Sequence, residues 1–345
     1  MSKTEQDQVS APWGSVFTDH MVTAHYEPKN GWSELALEAY HPLQLEPSSA
    51  VLHYGQAIFE GLKAYRQPDN SISAFRPEQN AGRFARSAHR LAMAELPEKH
   101  FLDSLALLVG ADHEYVPTRP GESLYFRPLE IASDVGLLTN PSKTFLYVLM
   151  ASPVKDYFAG GVHPVSVWIS TEYSRAMVGG TGEAKCAGNY AAAMLAQKHG
   201  FEHGCDQVVW LDSVKRRYVE EMGGMNLFFI FDHRLVTPTL TGTLLPGVTR
   251  DSILTLGADM GLEIEERLIS IDEWEQSADD GTLKEVFACG TAAVITPVGE
   301  VVHEGGSYKI GDGNAGDLTM KLREALLNIQ QGTTADTHGW MHRLM

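Results

Sequence analysis

The chain has 345 residues, 43% hydrophobic side chains and a formal net charge of −17. That apolar content is enough to offset the entropy of ordering the chain, which excludes disorder over most of the length, and the length suggests two domains. So strong a negative charge repels phosphate backbones and argues against a nucleic-acid partner.

The N-terminal stretch MSKTEQDQVSAPWGS is polar and has no apolar core of a signal peptide, and its first dozen residues are expected to form a mobile tail. Apolar periodicity predicts a helix over Asn80–Met93, then strands over Leu124–Ile131 and Thr144–Ala151. Ser152–Pro164, SPVKDYFAGGVHP, carries two prolines and a Gly-Gly pair between strong strands and reads as a linker able to move over a site. A strand over Val165–Ser170 follows, then a helix over Asn189–His199 and strands at Gln207–Leu211 and Met225–Phe231. The chain closes with a helix over Val248–Met260, a strand over Glu285–Cys289 and a helix over Asp317–Ile329. The expected architecture is α/β, with a smaller α+β domain (1–151), an interdomain loop (152–164) and a larger C-terminal domain (165–345). The three cysteines, Cys186, Cys205 and Cys289, include no C-x-x-C pair and fit a reducing cytoplasm. No apolar run approaches the roughly 20 residues of a membrane span.

Three patterns invite chemistry that they do not support. GGTGEAK (Gly179–Lys185) fails the triphosphate loop G-x-x-x-x-G-K-[ST], because Ala184 precedes the lysine and Cys186 follows it. GDGNAG (Gly311–Gly316) matches G-x-G-x-x-G, but GTTADTHGWMHRLM beyond the last helix shows no return strand of a βαβ unit, so a glycine-rich turn is the better reading. His199 and His203 stand four apart without an H-E-x-x-H frame, and no metal site is expected. Arg83, Arg86 and Arg90 recur at helical spacing; a solvated face is the default for Arg86 and Arg90, although a guanidinium in an acidic protein suits phosphate.

The chemistry concentrates elsewhere. GTGEAKCAGNYAAAMLAQ (Gly180–Gln197) sets Lys185 among small residues that let a bulky planar group approach, where a desolvated amine can attack a carbonyl. EEMGGMNLFFI (Glu220–Ile230) places carboxylates before a Gly-Gly turn and an apolar strand. LLPGVTRDSIL (Leu244–Leu254) is a turn entering a helix, whose first N–H groups and dipole suit an anion. ACGTAAVITPV (Ala288–Val298) ends a strand in a second small-residue turn, while HYGQAIFEGLKAYR (His53–Arg66) and YFRPLEI (Tyr125–Ile131) lie in the N-terminal half.

These blocks, in this order, resemble the fold-type IV pyridoxal-phosphate enzymes, and within them the branched-chain amino acid aminotransferases, from about Phe17 to Ile329. The resemblance implies a small N-terminal α+β domain, a large mixed α/β pseudo-barrel domain, pyridoxal 5'-phosphate as cofactor and a homodimer. It implies that Lys185 forms the Schiff base and shuttles the proton at the substrate α-carbon. Tyr190 would bond the cofactor's ring hydroxyl oxygen, and Glu221, favoured over Glu220 by its E-x-G spacing, would pair with the ring nitrogen. Arg83, Val248, Thr249 and Thr291 would hold the phosphate. Thr291 and Ala292 would receive the substrate carboxylate. Tyr54, Phe59, Tyr125, Tyr157 and Tyr190 would wall the side-chain pocket, a role that competes with plain core packing. Arg127, assisted by Tyr54, would take the side-chain carboxylate of glutamate. The implied reaction moves the amino group of leucine, isoleucine or valine to 2-oxoglutarate. Two positions depart from the family: Ala293 and Thr296 stand where some relatives carry a C-x-x-C pair, and Ala187 where they often have glycine. Cys186 is expected to be a small buried residue. A D-amino acid transaminase or an aminodeoxychorismate lyase could use the same lysine, glutamate and phosphate cup, but HYGQAIFEG and YFRPL favour the branched-chain group. A cofactor carrier or a cofactor-free Schiff-base aldolase would not need the whole set.

Overall fold

The computed structural model describes residues 12–155 and 162–345. The expected N-terminal tail therefore falls, up to residue 11, outside the described residues, as do 156–161 of the expected linker. The described chain divides into two units: residues 12–155 with Ala184–Gly188 and Asn328–Met345, and residues 162–183 with Asn189–Leu327.

The first unit rests on β1 (His20–Glu27), β2 (Gly31–Trp32), β3 (Ala36–Ala39), β4 (Ala57–Phe59), β5 (Leu62–Arg66), β6 (Ile72–Phe75), β7 (Ser123–Ala132) and β8 (Phe145–Val154). The sheet order is the C-terminal strand Met341–Arg343, then β6, β5, β7, β8, β1 and β2, with β3 on β1 and β4 on β7. β7 and β8 pair antiparallel from Ser123↔Val154 to Ala132↔Phe145. The first three residues of the expected linker are thus strand, because the ladder to β7 extends past Ala151. The helices are α1 (Ala50–Tyr54), α2 (Pro77–Arg90) and α3 (Glu98–Asp112). Leu124 and Phe126 of β7 join Phe84 and Ala88 of α2 and Phe101 and Leu105 of α3 in one core. Strand alternation then turns Tyr125 and Arg127 to the opposite face. On α2 the buried positions Asn80, Arg83, Phe84, Ser87 and Ala88 recur at helical spacing, while Arg86 and Arg90 are exposed. The helix begins at Pro77 rather than Asn80, with proline in the first turn where its missing N–H costs nothing.

The second unit holds β9 (Val165–Ser170), β10 (Gln207–Leu211), β11 (Val219–Met222), β12 (Met225–Phe231), β13 (Arg234–Thr237), β14 (Glu263–Glu266), β15 (Leu283–Gly290), β16 (Val294–His303) and β17 (Gly306–Lys309). The order β11-β10-β9-β16-β15-β12 returns on itself, because β11 also pairs with β12. This closed ring is the expected pseudo-barrel. It mixes directions, with β9 parallel to both neighbours and β12 antiparallel to β11, β13 and β15. Its helices are α4 (Ala187–Glu202, begun in the first unit), α5 (Val248–Asp259), α6 (Ile271–Asp279) and α7 (Asp317–Gln330, ended in the first unit). The core gathers Val167, Ile169, Val209, Leu211, Leu227 and Phe229 around the fully buried Trp274 of α6, whose ring meets Phe229 edge-on at 5.0 Å. Gly311 and Gly313 take positive φ before α7, the turn expected of GDGNAG. The strand beyond α7 pairs antiparallel with β6, so it is no return strand of a βαβ unit. His203 stacks on Trp168 at 3.8 Å and bonds the His199 carbonyl, which accounts for the histidine pair. No helix among the described residues is long and apolar enough to cross a membrane.

Candidate active site

In the first unit, Lys185 lies two residues before α4 on a short extended stretch. Its N–H donates to Ser87 Oγ at 3.0 Å, its carbonyl accepts from Phe59 N–H at 3.0 Å, and Cys186 bridges to Ile58. Backbone contacts on both sides therefore fix the lysine against β4 and α2. Its Nζ lies 5.1 Å from the Phe59 ring centroid. Cys186 is buried, as expected.

Beside it, Glu60 is fully buried and grips Arg83 with both oxygens: Nε donates to Oε1 at 2.6 Å and Nη2 to Oε2 at 2.8 Å. Asn80 donates to the same carboxylate at 2.8 Å. Burial alone would push this carboxyl up, but the charges of Arg83 and Lys185 and the hydrogen bonds hold it below the ordinary carboxylate range. Arg83 is accordingly buried, unlike its helical neighbours Arg86 and Arg90.

Phe59, Tyr125 and Arg127 also come together. The Arg127 guanidinium lies 4.8 Å from the Phe59 centroid and 5.4 Å from that of Tyr125, and its Nη2 donates to the Tyr125 hydroxyl at 2.8 Å. A Cβ on Gly61 would collide with that hydroxyl, so the ring packs directly on glycine backbone. A cavity of about 180 Å³ opens beside Tyr125 and Arg127 and is also lined by Trp13, Phe17 and Met150. Tyr54 is 40% exposed and spends its hydroxyl on the Leu137 carbonyl at 2.5 Å. Tyr157 lies outside the described residues.

In the second unit, β11 and β12 form a hairpin whose Gly223-Gly224 turn uses positive φ at Gly223. The register sets Asn226 opposite Glu221. Glu221 is 2% exposed; its Oε1 accepts from Leu245 N–H at 2.7 Å and from Asn226 Nδ2 at 3.3 Å, and Arg175 Nε lies 2.9 Å from Oε2. Glu220 points the other way along the strand and takes the Thr243 hydroxyl, and burial pushes its carboxyl up. Tyr190, on α4, runs close to Gly224, where an added Cβ would lie 3.6 Å from its ring. Val248 and Thr249 open α5 behind Gly247, which supplies no side-chain cap, so the first-turn N–H groups suit an anion. Thr291 and Ala292, with Ala293, form the turn from β15 to β16.

The sequence reading did not single out Glu60, Arg175, Asn226 or Trp13. Glu60 had a signal, a lone carboxylate inside the apolar run AIFEGL. Arg175 sits among turn residues and had none.

A family model described as amino-transferase class IV matches residues 57–301. The branched-chain-amino-acid aminotransferase of Mycolicibacterium smegmatis is 58% identical over 337 residues, covering 96% of this chain and 92% of that protein. The crystal structure of the Escherichia coli branched-chain amino acid aminotransferase superposes with a TM-score of 0.79 at 27% identity, covering 95% of this chain and all of that one. The T.th. branched-chain amino acid aminotransferase, solved with pyridoxamine 5'-phosphate, gives a TM-score of 0.78 at 26% identity over 95% of this chain and 99% of its own.

Proposed function

Because the chain belongs to the amino-transferase class IV family, we propose that it transfers the amino group of leucine, isoleucine or valine reversibly to 2-oxoglutarate, with pyridoxal 5'-phosphate as cofactor. The observation that carries this reading is the backbone-fixed lysine at 185 in a chain that also buries a matched carboxylate at 221. The residues fit the cofactor: an amine for its aldehyde, a buried carboxylate for its ring nitrogen, and a buried guanidinium and an uncapped helix start for its phosphate. When bound, the cofactor draws electrons from the substrate α-carbon and carries the amino group between the two half-reactions.

Each residue then has a task. Lys185 binds the cofactor and afterwards moves the proton at the substrate α-carbon. Glu221 pairs with the ring nitrogen and keeps it protonated. Tyr190 bonds the ring hydroxyl oxygen. Arg83, Val248, Thr249 and Thr291 hold the phosphate, and Glu60 fixes the plane of the Arg83 fork. Thr291 and Ala292 orient the substrate carboxylate. Phe59, Tyr125, Tyr54 and Tyr157 exclude water from an aliphatic side chain, and Arg127 binds the side-chain carboxylate of glutamate. The same reading includes a boundary at residues 152–164, a cytoplasmic location and a homodimer.

The test is formation of glutamate from 2-oxoglutarate with leucine as donor. Wild-type protein is expected to turn over and Lys185→Ala to lose at least about a thousandfold in kcat. Near-normal turnover by Lys185→Ala, or a preference for D-alanine as donor, would contradict the reading.

A further inference from the structure

Arg175 has no task in the reaction as assigned, yet it is 8% exposed and makes three contacts within the second unit. Nε lies 2.9 Å from Glu221 Oε2, an ion pair rather than an aligned hydrogen bond. Nη2 donates to the carbonyls of Gly182 at 2.9 Å and Thr243 at 2.5 Å. Each contact leads along the chain to a residue assigned above: Glu221 itself, Lys185 three residues after Gly182, and Val248 five residues after Thr243.

The two carbonyls belong to backbone runs that touch. A Cβ on Gly182 would collide with the Thr243 carbonyl, so only glycine permits this approach. The guanidinium bridges the runs at that point. A planar fork with five donors serves two carbonyls and a carboxylate at once in a fixed geometry, which the compact ammonium of a lysine does not pre-organise. A charged carboxylate as buried as Glu221 is costly unless it is paired, and the Arg175 guanidinium is the cation beside it. Asn226 Nδ2 and Leu245 N–H direct one oxygen, but neither brings a formal charge.

We propose that Arg175 is a positioning residue: it holds Glu221 charged and oriented toward the cofactor's ring nitrogen, and it latches the backbone runs at Gly182 and Thr243 together within the second unit. The proposal rests on the assignment of Glu221.

A double-mutant cycle tests it. Protein freed of cofactor is titrated with pyridoxal 5'-phosphate, following tryptophan fluorescence, for wild type, Arg175→Met, Glu221→Gln and the double variant. Arg175→Met is expected to weaken binding about tenfold or more in the wild-type background and less than about twofold in the Glu221→Gln background, since the two act as one unit. Equal losses in both backgrounds would show a purely structural role and overturn the proposal. Should Arg175→Met fail to fold by circular dichroism, Arg175→Lys carries the same comparison: a loss of affinity confined to the Glu221 background supports the proposal, and an equal loss in both overturns it. If Glu221→Gln alone binds like wild type, the assignment of Glu221 fails, and this proposal falls with it.

Discussion

At Glu60 the chain places one carboxylate where no water reaches and matches it with a guanidinium at 2.6 and 2.8 Å. Glu60→Gln keeps the shape and removes the charge, leaving Arg83 buried without its counter-ion. The expected cost is on the order of 3 kcal/mol in unfolding free energy, with weaker cofactor binding besides. Urea denaturation and a cofactor titration check this; unchanged stability would mean that the buried Arg83 does not depend on the charge of Glu60. At this scale the sequence was partly legible. The setting of Lys185 among small residues marked it as unusual, and the order of the surrounding blocks gave it a role. What the sequence could not show was pairing. Glu60 and Arg83 stand 23 residues apart and Arg175 and Glu221 stand 46 apart, and nothing in spacing alone joins them. Helical spacing grouped Arg83 with Arg86 and Arg90; only the fold separates the buried member from the exposed ones.

Elements were easier to read than contacts. β9, β10 and β12 have the expected bounds; β7 and β15 overrun theirs by one or two residues at each end, and β8 begins one residue later than expected and runs three residues further, where ladders continue past the apolar run. β11 escaped notice because VEEM sets two adjacent carboxylates in a four-residue strand, which hides its alternation although all four residues are buried. β7 hides another charge of this kind. Glu130 is fully buried, neither oxygen has a hydrogen-bond partner among the described residues, and burial pushes its carboxyl up to about 9. It is therefore neutral in the fold but ionised in the unfolded chain between about pH 5 and pH 9. A raised carboxyl of this sort gives its full stability at low pH and loses it as the pH climbs through that window. The loss is roughly 3 kcal/mol by pH 7. Glu130→Gln cannot ionise and should flatten the dependence. Denaturation midpoints at pH 5, 7 and 9 check this, and parallel slopes for the two proteins would show that Glu130 is already ionised in the fold.

For the whole molecule, composition and charge limited the possibilities without choosing among them. A mixed α/β chain was legible from alternating strand and helix patterns. Closure of the second sheet was not, because it depends on β11 pairing with both β10 and β12, a fact of register rather than composition. The order of several spaced blocks carried the family, and the match over residues 57–301 agrees with it. The assembly belongs to this scale too. Light scattering at micromolar concentration is expected to give twice the chain mass, and a monomer would contradict the homodimer.

Everything proposed for this chain turns on Lys185 presenting the cofactor to a branched-chain amino acid. The most direct measurement is the visible absorbance spectrum of the cofactor-loaded protein before and after adding leucine with no oxo acid present. A yellow band that leucine converts to the spectrum of the amine form of the cofactor is expected, and no such band from Lys185→Ala. A band indifferent to leucine but altered by D-alanine, or no band at all after incubation with pyridoxal 5'-phosphate, would contradict it.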